Sequence, residues 1–176
     1  LDALIRIVQT SLLISHGIRK SVSVEWLLCG GEPSRHRRVI WDGRKLQGLS
    51  ADERSIAGRV KSAIEAPSSR TIWTEASKGL LHKRGSLLQI LEEQVNKKTM
   101  FFLSREGTVL STKQSKETPV CLFLSDHKQF TKEEMEIFSK YQVKSRSIGP
   151  DWLQGHIAIA LAIETLSGNI SINEIL

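Results

Sequence analysis

Apolar residues fall at Leu1, Leu4, Ile5, Val8, Leu12 and Leu13, the three-and-four spacing of a helix with one face turned to a core. The pattern stops at Gly17, so a helix over 1–16 with a glycine cap is expected. Residues 22–29 (VSVEWLLC) have the β-branched character and length of a strand, stopped by GGEP at 30–33. A second extended piece is expected at 38–41, turning at Asp42 and Gly43. Ser50, Ala51, Asp52 and Glu53 have the form of a capping box, which predicts a helix from there to about 65, before Pro67. Residues 86–96 read as an amphipathic helix through Leu87, Leu88, Ile90, Leu91 and Val95, and 99–104 as the next strand. Residues 119–125 (PVCLFLS) form an apolar run too short for a helix, as expected of a strand buried on both faces. A second capping box, Thr131 to Glu134, opens a helix to about 141; a short strand follows at 143–148. The last helix, 153–166, is apolar nearly all round and so should lie inside the domain or at a subunit contact.

Strands alternating with helices of these lengths predict an α/β domain with a largely parallel sheet flanked by helices. The 176 residues suit one domain, 1–176, and no internal repeat is evident. The junctions at Asp126 and at Gly149-Pro150 follow strand ends, where open parallel sheets place their ligands. Taken alone, each is equally a capping turn. Cys29 and Cys121 lie in apolar runs without metal-ligand spacing and read as small core residues in a reducing compartment; no metal is expected. No apolar stretch approaches the length of a membrane span and no signal peptide is visible, so a cytoplasmic protein is expected.

A formal charge of +6 favours a polyanionic partner, because Lys and Arg gain free energy by displacing counterions from phosphates. The densest basic run holds Arg35, His36, Arg37, Arg38, Arg44 and Lys45. It reads either as a solvated charged face or as a surface for the phosphates of a folded RNA. Trp41 within it is either packing or a stacking platform for a base, and His82, Lys83 and Arg84 would extend the surface.

Three C-terminal segments, LFLSDHKQFTKEE (122–134), SIGP (147–150) and WLQGHIAIA (152–160), stand in an order that resembles the archaeal tRNA pseudouridine N1-methyltransferases. LLISHGIRKSVSVEWLLCGGEP (12–33), DGRKLQGLSADERSIA (42–57) and FFLSREG (101–107) are similar to the same family in order and spacing. The resemblance implies a SPOUT methyltransferase fold, in which a deep trefoil knot over about 119–168 cradles S-adenosylmethionine. It assigns donor binding to Leu124, Ser125, Asp126 and His127, then Ser147, Ile148 and Gly149, then Leu153 and, lacking a Cβ, Gly155. It further implies methylation of N1 of a pseudouridine in the T-arm of tRNA by a homodimer.

The chain departs from that family in three places. Such enzymes usually carry a strand and loop before the first helix, whereas this sequence starts directly at that helix and a sheet with one strand fewer is the expectation. Their knot helix reads close to LHAxHC, whereas this chain has Leu153, Gln154, Gly155, His156, Ile157 and Ala158, with Ala158 in the cysteine's place. An acidic residue after the second family strand falls on Ser34 in an ungapped reading and on Glu32 with a one-residue shift; Glu32 is the candidate proton acceptor. Methylation of a different RNA nucleoside, or RNA binding and assembly without catalysis, are the competing readings.

Overall fold

The computed structural model describes residues 1–114, 118–125 and 128–172, which divide into two compact units, Leu1–Leu87 and Leu88–Leu176. The first opens with α1 (Asp2–Leu12), whose buried Ile5, Val8 and Leu12 keep the predicted stripe. It does not run to Gly17. Its C-cap Leu13 is extended (φ −84°, ψ 131°), and β1 (Leu13–Ile14) pairs at once with β2 (Gly17–Ile18), so the glycine lies in a strand rather than a helix cap.

The unit's main sheet is antiparallel. β3 (Ser23–Leu28), β4 (Arg37–Asp42), β5 (Thr74–Ser77) and β6 (Leu80–Arg84) stand in the order β3-β4-β6-β5. The expectation of a largely parallel sheet fails here for a simple reason. The β3–β4 connection is eight residues long, and parallel neighbours need a crossover of a dozen or more. One sheet face receives α1 and α2 (Glu53–Glu65): Ile56, Val60 and Ala63 join the α1 stripe against Trp26, Val39, Trp41 and Leu80. The cap of α2 is Asp52, whose carboxylate accepts from the Ser55 N–H at 2.9 Å, not Ser50, whose hydroxyl accepts from Asp52. Cys29, expected inside, is exposed just past β3.

In the second unit α3 (Leu87–Gln94) leads into β7 (Thr99–Val109), followed by β8 (Val120–Phe123), α4 (Lys132–Lys140), β9 (Lys144–Ser147) and α5 (Gly155–Ser167). Its sheet is parallel throughout, in the order β8-β7-β9. Side-chain alternation sends Phe101 and Leu122 into a cluster with Ala162 of α5, and Phe102 and Phe123 to the other face, where Phe138 of α4 stacks on Phe102 at 5.3 Å. The sheet is thus covered on both faces, although β8 itself is only half-buried. The second capping box forms as expected: Thr131 accepts from the Glu134 N–H and the Glu134 carboxylate from the Thr131 N–H. After α4, Gln142 takes the left-handed position (φ 55°) while the Val143 N–H reaches back to the Phe138 carbonyl at 2.9 Å, closing the helix. Only Ala158, Ala162 and Thr165 of α5 are fully buried.

Candidate active site

Parallel pairing makes β8 and β9 end on the same side of their sheet, so the segments after Phe123 and around Ser147 emerge together. Leu124 and Ser125 lie half-buried just past β8; Asp126 and His127, assigned to the same loop, fall outside the described residues. Ser147 closes β9 and is buried, with its carbonyl accepting from the Leu110 N–H at 2.8 Å. Its hydroxyl accepts from the Gly149 N–H at 3.1 Å and donates to the Gly149 carbonyl at 3.0 Å. This one side chain fixes the loop, and Gly149 at φ 140° holds a backbone that a residue with a Cβ would strain to adopt. Ile148 packs against Phe101, Leu110, Ala162 and Ile172. Leu153 stays 37% exposed before α5, and Gly155 is the helix's first residue. Along the chain Gly149 stands between half-buried Ile148 and exposed Leu153, a combination of open backbone and aliphatic side chains that suits the polar edge and flat apolar face of a nucleoside. Ala158, in the place of the family's cysteine, is buried.

The first unit holds the remaining predicted residues. Glu32 is exposed in the turn after β3, its carbonyl accepting from the Arg35 N–H at 2.8 Å; Ser34 is exposed beside it. Arg35, Arg44 and Lys45 are exposed. Arg38 and Trp41 are not available to RNA here, since both are 0% exposed. Central in its sheet, β4 has both faces covered. Trp41 points to the helices and meets Trp26 edge-on at 5.6 Å. Arg38 points the other way, its Nε 2.5 Å from the Glu25 carboxylate and its guanidinium 5.0 Å from the ring of Trp73. Lys83, also expected at the surface, is buried with its ammonium 4.7 Å from the same ring. Arg37 is half-buried, donating to the Ala66 carbonyl at 3.2 Å and lying 3.3 Å from Nδ1 of the fully buried His82. Burial, and then the charge of Arg84, pull the Arg37 guanidinium below its ordinary value.

Sequence reasoning missed a cavity of about 420 Å³ at the opposite ends of β7 and β9, whose lining includes Lys98, Lys140, Lys144 and Arg146. These cations are spread over 49 positions, so no dense run marks them. Among the described residues no three His, Cys, Asp or Glu side chains gather as a metal site, and no helix is long and apolar enough to cross a membrane.

A family described as "Putative SAM-dependent RNA methyltransferase" matches residues 1–169. The tRNA (pseudouridine(54)-N(1))-methyltransferase of Methanospirillum hungatei is 33% identical over 166 residues, covering 94% of this chain and 81% of the relative. Proteins of the same description from Haloferax volcanii and Methanococcoides burtonii are 31% and 26% identical, over 92% and 97% of this chain and 80% and 84% of their own. Among solved structures, the Nep1 protein of Archaeoglobus fulgidus bound to S-adenosylhomocysteine shares the fold, with a TM-score of 0.67 at 12% identity, over 96% of this chain and 70% of that one. With a match spanning nearly all its residues and a relative one-third identical over most of its own length, this chain belongs to the SAM-dependent RNA methyltransferase family.

Proposed function

We propose that this protein transfers the methyl group of S-adenosylmethionine to N1 of a pseudouridine in the T-arm of tRNA, position 54 in the relatives' description. The carrying observation is end-to-end similarity to enzymes of that one description, over 92–97% of this chain in the three described above. The mixed α/β fold, shared with the Nep1 structure, supports a SPOUT arrangement; a single domain over 1–176, residues 119–168 as the knot and a homodimer as the working unit belong to the same proposal.

S-adenosylmethionine supplies an electrophilic methyl on a sulfonium. The loops at Leu124–Ser125 and Ser147–Gly149, with Leu153 and Gly155, hold the donor; Asp126 and His127 complete the assignment. The pseudouridine N1 forms its bond to the methyl carbon as the carbon–sulfur bond breaks, and the N1 proton leaves to a base, for which Glu32 is the candidate. Little covalent chemistry falls to the protein, so positioning by a fixed backbone is its main contribution. The Ser147 hydroxyl, bonded twice to Gly149, preorganises that backbone. Arg35, Arg44 and Lys45 are the exposed members of the basic run assigned to RNA phosphates, with Arg37 half-buried beside them. No metal is required, and the compartment is the cytoplasm, where tRNA is.

The test is incubation of the protein with labelled donor and a tRNA carrying pseudouridine at 54, followed by nucleoside mass spectrometry. N1-methylpseudouridine is the expected product. Donor binding without any methylated nucleoside, or a methyl group on another nucleoside, would sink the assignment.

A further inference from the structure

The cavity at the amino-terminal ends of β7 and β9 is a second cationic site, built from residues outside the basic run at 35–45. Lys98 follows α3, Lys140 ends α4, and Lys144 and Arg146 stand on β9; among the described residues no carboxylate lines it. Glu92 accepts from the hydroxyl of the lining residue Tyr141 at 3.4 Å.

Two of these cations have an ordinary explanation, because Lys98 and Lys140 sit where the carbonyl ends of α3 and α4 favour positive charge. Each helix end amounts to about half a negative charge, so both together offset only about one of the four cations. Lys144 and Arg146 are left over on an edge strand, and like charges gathered around one concavity repel each other unless an anion lies among them. Arg146 supplies a second observation. One terminal nitrogen donates to the Thr108 hydroxyl at 2.6 Å and to the Ser145 carbonyl at 2.8 Å, and its guanidinium lies 4.4 Å from the Phe101 ring. Its Nε–H is buried with no acceptor among the described residues.

We propose that this cavity holds backbone phosphates of the RNA substrate. The inference rests on the RNA methyltransferase reading above and adds a surface to it: Lys144 and Ser147 are three residues apart on β9, so the site lies about 10 Å along the sheet from the proposed donor loop. Open on one side and lined by flexible ammonium groups, it suits a polyanion that continues beyond it. RNA held there would be gripped at both ends of the same strands.

The experiment compares the parent with Lys140→Gln/Lys144→Gln and with a control of equal charge change, Lys61→Gln/Lys132→Gln, both pairs being exposed. Binding of an unmodified tRNA transcript is measured across salt concentrations, and S-adenosylhomocysteine binding by calorimetry. The cavity variant should lose about tenfold in tRNA affinity, and its slope of log affinity against log salt should fall by about 1.4–1.8 for two lost phosphate contacts. The control should change far less, and nucleoside binding should stay intact in both. Equal losses in the two variants, or no loss in the cavity pair while the parent binds and methylates tRNA, would overturn the cavity's role alone. A parent that binds the nucleoside but no tRNA would overturn the RNA reading as well.

Discussion

His82 lies fully buried on β6, with Nδ1 3.3 Å from a guanidinium nitrogen of Arg37. Because that nitrogen can only donate, Nδ1 accepts and the neutral ring carries its proton on Nε2, which is buried without a partner among the described residues. Burial, and then the Arg37 charge, hold the His82 pKa below the usual imidazole value. The sign follows directly. Below about pH 6.5 the unfolded chain binds a proton that the folded chain refuses, so stability falls as pH drops from there towards the lowered folded value. Urea denaturation at pH 7.5 and 5.5 should show that loss, with a ceiling of about 1.4 kcal/mol per pH unit inside the window. In His82→Gln the dependence over that interval should flatten; an unchanged slope would remove His82 as its source.

The long strand β7 pairs with β9 twice, and between Leu103 and Thr108, both opposite Arg146, four residues bow outward. Gly107 ends that bow, and a Cβ there would come within 2.6 Å of the Arg146 backbone. Gly107→Ala should therefore cost at least the 1–3 kcal/mol typical of overpacking, about what one substitution can take from a marginal domain. Gly58, exposed mid-way along α2 with no atom within 4 Å of its added Cβ, is the opposite case: Gly58→Ala should stabilise by about 0.5–1 kcal/mol. Denaturation midpoints of the two variants read out both signs. The contrast marks what sequence can reveal. The helices at 53–65 and 132–140 and the parallel strands were legible because caps and periodicity are local signals. The hairpin of β5 and β6 was not, since TEAS and LLHKR lack an apolar alternation and depend on distant pairing, β6 against β4 and β5 against β6. The burial of Arg38 and Lys83 was equally hidden, because it depends on Trp73 arriving from 35 and 10 positions away. The loops proposed for the donor were assigned through their resemblance to a family, as nothing in Ser147-Ile148-Gly149 alone separates a nucleoside loop from a turn.

Helix α5 is apolar on nearly every side, yet only the narrow stripe of Ala158, Ala162 and Thr165 is fully buried. Ile157 remains 43% exposed and Trp152, just before the helix, 68%, its ring facing the guanidinium of Arg105 at 5.6 Å. A helix buried in its own core would hide its large side chains, and here only small ones are fully hidden, while Ile157 is exposed and Ile159, Leu161 and Ile163 are half-buried. A second copy is the partner proposed for that surface, because a two-fold contact lets one patch complete itself and a stable interface needs only about 800 Å² from each side. The parent should then sediment as a dimer at micromolar concentration. Ile157→Arg places a charge in the middle of the contact while leaving the buried stripe alone, so it should shift the protein to monomer with its circular dichroism unchanged. If the donor loops depend on the contact, affinity for S-adenosylhomocysteine should fall in the same variant and recover at high protein concentration. A parent that sediments as a monomer would show that the exposed face of α5 serves some other purpose.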